Sequence, residues 1–395
     1  MKIRSGLRLA LLFAVKAFVG VFVLAVPVFA TTVGISTKAP HAVVFELESK
    51  SILFEHDIDA PTPPASISKL MALYIVFKHL KAKSVHLDDM FPVSDSAHSS
   101  GAPSAFLKVG QSVTIRDLIR GAIVASGNDA CIALAEGIYG SKERFVEEMN
   151  AVAKELNLNN SHFSNVTGWP DLNSMSVRDM VTLSVRIFQD FPEYYTLFSE
   201  KQFTYNGVTQ KNYNTLLNYN SLGVDGIKTG HTHSGGFGMV ASAARNGRRV
   251  FVAVNGLKTE TERAYETKRL IQYAFDYFET KTVFTSETII GEIPVRHKKI
   301  TLMPVYVKED VVVTYPKNLR SEIKAFISPK ELDGSPVDKG QEVGILTIKI
   351  EGTKYSFPIY AGKTIHPSCR VCNYMRLLYK KLFSLVSSHL GKTME

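Results

Sequence analysis

Between Thr114 and Phe188 apolar residues recur at helical spacing almost throughout, as they do from Ser66 to Leu80 at Leu70, Leu73, Tyr74 and Phe77, while residues 41–55 and the runs after Gly235 carry the shorter period of strands. That change of period constrains the fold most, because it sets a helical block between pieces of a sheet. Thr114-Ile-Arg-Asp117 and Ser176-Val-Arg-Asp179 resemble capping boxes, each opening an apolar helix. Residues 41–55 hold two β-runs, AVVFELES and SILFEH, broken by a polar turn at Glu48 to Ser51. From Gly235 onward strands return: 237–244 and 249–254 are apolar runs joined through Arg245-Asn246-Gly247-Arg248. Asn-Gly between such runs predicts a tight hairpin, since a primed turn takes positive φ at both central residues. A helix over about 261–278 follows. Hairpins rather than crossovers join the strands, so the first unit is α/β or α+β with an antiparallel sheet.

From about Phe284 to Ile365 the chain is a series of short β-like runs, from ETIIGEIPV to TKYSFPIYA, with turns such as Asp333-Gly334-Ser335-Pro336 between them. This predicts a small all-β sandwich or barrel. The last segment differs again. Val371, Met375, Leu378, Leu382, Leu385 and Leu390 fall near one helical face, with Arg370, Arg376, Lys380, Lys381 and Lys392 mostly elsewhere. A basic amphipathic helix over 369–392 is expected to lie in a membrane interface. At the other end, Lys2, Arg4 and Arg8 precede an apolar run from Leu9 to Ala30, closed by Val28-Phe29-Ala30. That is the layout of a secretory signal peptide over 1–30, cleaved after Ala30. Its loss takes the formal charge of +9 to +5. The mature chain is then mildly basic and exported. It has no Arg/Lys stripe with interleaved aromatics, so nucleic acid is not an expected partner. Cys131, Cys369 and Cys372 cannot make a disulfide framework, and Cys131 reads as a buried small hydrophobe.

Pro64-Ala65-Ser66-Ile67-Ser68-Lys69 carries the first chemical signal. Serine is a weak nucleophile until a base takes its proton, and a lysine three residues along a helix lies on the same face. The spacing alone is weak, since a chain of 395 residues has about two such pairs by chance. Ser321-Glu-Ile-Lys324 is another, in the β region where no helix supports it. Ser66 stands out through its company. Ser126-Gly127-Asn128 falls in a turn between two apolar helices, and Lys228-Thr229-Gly230 lies just before the hairpin. His231 and His233 have no third ligand at metal spacing, so neither a metal nor any other cofactor is expected.

Ser-x-x-Lys, Ser-x-Asn and Lys-Thr-Gly in this order form the motif set of penicillin-recognising serine enzymes. The blocks PPASISKLM, VASGNDACIALAE, FSNVTGWPD and VDGIKTGHT most resemble the low-molecular-mass penicillin-binding proteins, the serine D-alanyl-D-alanine carboxypeptidases. The resemblance runs over about 38–280. It implies the penicillin-binding/β-lactamase-like transpeptidase fold over 31–283, with an antiparallel sheet and a helical subdomain, then a β domain over 284–365. It implies that Ser66 attacks the D-Ala–D-Ala carbonyl and that Lys69, as a neutral amine, accepts its proton. Ser126 then passes a proton toward the departing D-alanine, and Asn128 holds the substrate amide. Lys228 supplies positive potential and Thr229 grips the terminal carboxylate. The backbone N–H groups of Ser66 and of His231, just after Gly230, form the oxyanion hole. Arg263 matches a family arginine that helps bind the carboxylate, while Tyr213 stands where some members place a second. The partners implied are peptidoglycan stem peptides, β-lactam antibiotics as covalent inhibitors, and the periplasmic face of the inner membrane. A β-lactamase of the same fold is the nearest alternative, and the two further modules, the β domain and the terminal helix, argue against it. A non-catalytic cell-wall-binding protein is less consistent still, since Ser66, Lys69 and Lys228 are all present.

Overall fold

The structure, a computed structural model, describes residues 34–296, 300–318, 323–332, 336–350 and 353–365. The proposed leader, Ser321, Cys369, Cys372 and the amphipathic segment lie outside the described residues.

The chain opens with the hairpin β1 (His41–Glu46) and β2 (Ser51–His56). A 3-10 turn, Ala65–Ser68, leads into α1 (Lys69–Lys81). The helical block holds β3 (Met90–Pro92), α2 (Asp95–His98), β4 (Ser112–Thr114), α3 (Ile115–Ile123), α4 (Asn128–Tyr139), α5 (Lys142–Glu155), α6 (Val177–Asp190) and α7 (Pro192–Tyr195). After the small hairpin β5 (Gln202–Tyr205) and β6 (Val208–Lys211), the chain rejoins the sheet as β7 (Val224–Thr232), β8 (Gly236–Arg245) and β9 (Arg248–Leu257), and closes with α8 (Glu260–Tyr277). The main sheet is antiparallel throughout, in the order β2-β1-β9-β8-β7.

Both expected caps form: Thr114 Oγ1 accepts from the Asp117 N–H at 3.1 Å and Ser176 Oγ from the Asp179 N–H at 3.2 Å. The hairpin turn has Asn246 at φ 51° and Gly247 at φ 75°, as the Asn-Gly pair predicts. Helical periodicity does not persist over all of 114–188. Residues 156–176 form a long connection between α5 and α6, and this connection reaches the active site.

Apolar runs in β8 and β9 arise because the sheet is covered on both sides. Val43, Val240, Phe251 and Ala253 face α1 and the helical block, whereas Val44, Met239, Ala241, Val252 and Val254 face α8 through Leu270, Ile271 and Ala274. Helix α1 is buried from Lys69 to Phe77, so it forms the centre of the block rather than an amphipathic surface. That burial desolvates the lysine at its first position.

The β domain consists of a ladder of β10 (Phe278–Phe284) with β13 (Val311–Pro316), and a sheet of β11 (Ile289–Arg296), β12 (Ile300–Tyr306), β16 (Thr353–Ala361), β15 (Glu342–Ile350) and β14 (Lys324–Pro329). Residues 278–283, expected in the first unit, thus belong to a strand that pairs with β13. A buried polar cluster joins the two units. Glu46 accepts from Thr280 Oγ1 at 2.8 Å and from Ser49 Oγ at 2.5 Å, Thr314 Oγ1 donates to Ser49 Oγ at 2.7 Å, and Tyr355 OH donates to the Thr314 carbonyl. No helix among the described residues is long and apolar enough to cross a membrane.

Candidate active site

The 3-10 turn before α1 presents Ser66 half-buried, and one turn on Lys69 is fully buried. Lys69 Nζ lies 2.8 Å from Ser66 Oγ, 2.8 Å from Asn128 Oδ1 and 2.9 Å from the Thr167 carbonyl. Asn128 presents its oxygen to the lysine because its amide nitrogen donates to the Ala102 carbonyl at 3.2 Å. Burial pushes the Lys69 amine down to about 8, against smaller opposing effects of Cys131 and Asp129. The thiol of Cys131, on α4, is buried and pushed up to about 11 by desolvation, so it behaves as the apolar filler expected.

Ser126 occupies the turn between α3 and α4 with φ 55°, and Lys228 Nζ donates to its hydroxyl at 2.9 Å. Lys228 sits opposite Val240 in the ladder, on the sheet face turned toward the helical block. Its pKa is far below the usual lysine range, through desolvation first and then through the charges of Lys69 and Arg263. Beneath this turn the buried Asp129 accepts from the N–H groups of Ala105 and Leu107 and from Ser104 Oγ, which closes residues 104–107 against α4. Gly230 lets β7 pass the Ser66 turn closely: a Cβ there would stand 2.5 Å from the Pro64 carbonyl oxygen. Thr229 is buried at 5% exposure beside it.

His231 is exposed and stacks on Phe237 at a centroid distance of 3.8 Å, with the Arg263 guanidinium 5.8 Å from the same ring. Arg263, 3% exposed, donates to Glu260 at 2.8 Å and to the Tyr213 carbonyl at 3.4 Å. Among the described residues no group of three His, Cys, Asp or Glu side chains is arranged to hold a metal ion.

All nine sequence-derived positions therefore fall on three neighbouring pieces of chain: the Ser66 turn, the Ser126 turn, and β7 with the start of α8. The sequence reading assigned no role to the 156–176 connection, although it noted FSNVTGWPD as a block. Thr167 acts through its backbone, which no side-chain pattern announces. The available signal was the break of helical period at Gly168 and Pro170.

A sheet backed by helices on both faces, with a serine–lysine pair at the head of a buried central helix, defines the penicillin-recognising class of serine enzymes. The description D-alanyl-D-alanine carboxypeptidase (Peptidase_S11) matches residues 28–259, and that of the penicillin-binding protein 5 C-terminal domain matches 278–367. D-alanyl-D-alanine carboxypeptidase DacA of Escherichia coli (strain K12) is 35% identical over 319 residues, 78% of this chain and 79% of the relative. DacA of Haemophilus influenzae is 37% identical over 317 residues, 78% and 80% of the two chains. The crystal structure of penicillin binding protein 5 from Haemophilus influenzae superposes with a TM-score of 0.79 at 33% identity, covering 85% of this chain and 100% of the other. The ampicillin-bound form of penicillin-binding protein D2 from Listeria monocytogenes superposes with a TM-score of 0.54 at 26% identity, over 61% and 99%. The chain belongs to the serine-type D-alanyl-D-alanine carboxypeptidases, hydrolases of the penicillin-binding protein class.

Proposed function

We propose that the chain removes the terminal D-alanine from peptidoglycan stem peptides through an acyl-enzyme on Ser66, and that penicillins trap it at that stage. The partners of Lys69 carry this reading. A neutral amine has two N–H donors and one lone pair. Of its three neighbours, the Asn128 and Thr167 oxygens can only accept, and only the Ser66 hydroxyl can donate. The lone pair therefore has one place to go, the proton that Ser66 must lose. With its amine near 8, Lys69 is neutral in about one molecule in ten at pH 7.

The rest of the cycle follows from the neighbours. The Ser126 oxygen accepts from Lys228, which leaves its own proton for the departing D-alanine amine. Asn128 orients the substrate amide, and the backbone N–H groups of Ser66 and His231 receive the developing oxyanion. Lys228, Thr229 and Arg263 make a cation-rich end for the terminal carboxylate. The Glu260 contact implies that Arg263 attracts that carboxylate through space or after exchanging partners. Export by residues 1–30 and anchoring by 369–392 place this chemistry on the outer face of the inner membrane. D-alanine release from a stem peptide ending in D-Ala–D-Ala tests the assignment: the wild-type chain releases it, and Ser66→Ala does not while keeping its fold. Release at an undiminished rate by Ser66→Ala contradicts the proposal.

A further inference from the structure

Lys69 draws one of its three hydrogen bonds from outside the motifs, and the segment supplying it has its own framework. Residues 164–173 lie on no helix, and their only regular tie is at the far end, where Ser174 bridges His162 and Met175 bridges Thr62. Asn173 is 3% exposed, and its amide makes four hydrogen bonds. Its oxygen accepts from the N–H groups of Ser164 at 2.8 Å and Asn165 at 3.0 Å, and its nitrogen donates to the Asn165 carbonyl and to Ser68 Oγ, both at 3.0 Å. That uses the full capacity of a primary amide, two donors and two acceptor sites. Ser68 lies between Ser66 and Lys69 in the same turn. Asn165 carries the restraint onward: its side-chain oxygen accepts from the N–H groups of Thr167 at 3.2 Å and Gly168 at 2.7 Å. Gly168, at φ 86°, then lies flat on the nucleophile turn, where a Cβ would fall 1.9 Å from the Ala65 carbonyl oxygen.

We propose that Asn173 is a positioning residue for the acylation step: through Ser68 and Asn165 it locks the Thr167 carbonyl onto Lys69 Nζ and so fixes where the lysine lone pair points. The inference rests on the reading of Lys69 as the base. With Asn128 alone as acceptor, a neutral amine rotates among several orientations. With a second acceptor fixed, only one N–H arrangement satisfies both, and it leaves the lone pair on Ser66. The Thr167 carbonyl also favours the ammonium form, because it accepts a hydrogen bond more strongly from a charged donor. The charged and titratable groups facing Lys69 are Asp129 and Cys131 from α4 and Lys228 from β7, with Arg263 beyond it. None of these bonds to Asn173, so replacing Asn173 alters Lys69 through the Thr167 contact and leaves that charge set in place.

The test is the pH dependence of acylation by a fluorescent penicillin, measured on the full chain for wild type, Asn173→Ala, the uncharged and similarly sized Asn173→Leu, and Ser68→Ala. The expected result is a plateau rate about 100-fold lower in both Asn173 variants, the size of effect a small misplacement produces. The midpoint of the acidic limb moves about half a pH unit or more below the wild-type value, since a lost acceptor disfavours the ammonium. Ser68→Ala, which removes one link only, moves both quantities in the same direction by less. It carries the test alone if the Asn173 variants do not fold. A slower plateau with an unmoved midpoint means that Asn173 serves the fold only, and overturns the proposal. Unchanged rates overturn it as well. A wild-type chain that never acylates overturns the Ser66–Lys69 reading itself, and this inference with it.

Discussion

A lysine can serve as a base near neutral pH only where its charge is costly, and here the cost comes from burial. Lys69 heads a helix that is buried along its first nine residues, so its amine falls to about 8 although Asp129 lies close enough to oppose the shift. The acylation rate should therefore climb about tenfold per pH unit below pH 8 and level off above it, which stopped-flow penicillin binding measures directly. Lys69→Arg keeps the charge but has no accessible neutral form, and should slow acylation by about 10²–10⁴-fold. Carboxylate recognition is the second expectation at this scale. Amidating the last D-alanine of the substrate should cost about 2–4 kcal/mol in kcat/KM, as for a lost charge-assisted contact. Equal turnover of acid and amide would remove Lys228, Thr229 and Arg263 from that role. The side chains at this scale were legible in the sequence because spacing and order identify them. Asp129 and Asn173 were not, because each works by holding backbone that only the folded chain brings near.

Elements were read with uneven success, for a physical reason. Short apolar runs bounded by turn residues declare strands and a regular apolar stripe declares a helix, so β1, β2, β8, β9 and α8 were anticipated to within three residues at each end. The connection over 156–176 was absorbed into the helical block because Phe163, Val166 and Met175 are buried there and imitate helical spacing. Its packing is nonetheless demanding. Gly168→Ala sets a Cβ against the Ala65 carbonyl and forces a side chain into left-handed backbone. The backbone alone should cost about 1–2 kcal/mol, and the collision more. Thermal melting should show the destabilisation and penicillin labelling the loss of the Ser66 turn. A variant with wild-type melting and labelling would contradict the close packing of this connection on the nucleophile.

At the scale of the whole molecule, a catalytic unit stands on a β domain, and the polar joint between them was invisible in the sequence. Glu46, Ser49, Thr280, Thr314 and Tyr355 look like ordinary surface polar residues until the fold buries them together. Near this joint, burial and the adjacent Glu46 carboxylate push Glu48 up to about 7. The folded chain then holds this proton more tightly than the unfolded chain, where the group titrates near 4.5. Glu48 thus weakens the fold progressively as pH rises from about 4.5 to 7. Glu48→Gln keeps an acceptor for the Arg249 N–H and should raise the melting temperature by about 2–4 °C above pH 7, with no gain near pH 4. A gain of equal size at both pH values would contradict the ionisation argument. Truncation after Ile365 should give a soluble, active enzyme, because Ile365 still pairs with Val337 and the catalytic residues all precede the β domain. If that truncated chain still fractionates with membranes, the segment 369–392 is not the anchor.

The account stands most directly on the identity of the acylated residue. Peptide mapping by mass spectrometry after brief exposure of the full chain to a penicillin reads it without assumptions about substrate. The predicted result is one adduct, on the peptide containing Ser66, absent from Ser66→Ala and sharply reduced in Lys69→Arg. An adduct on any other serine, Ser321 included, or a folded wild-type chain that takes no adduct, would contradict it.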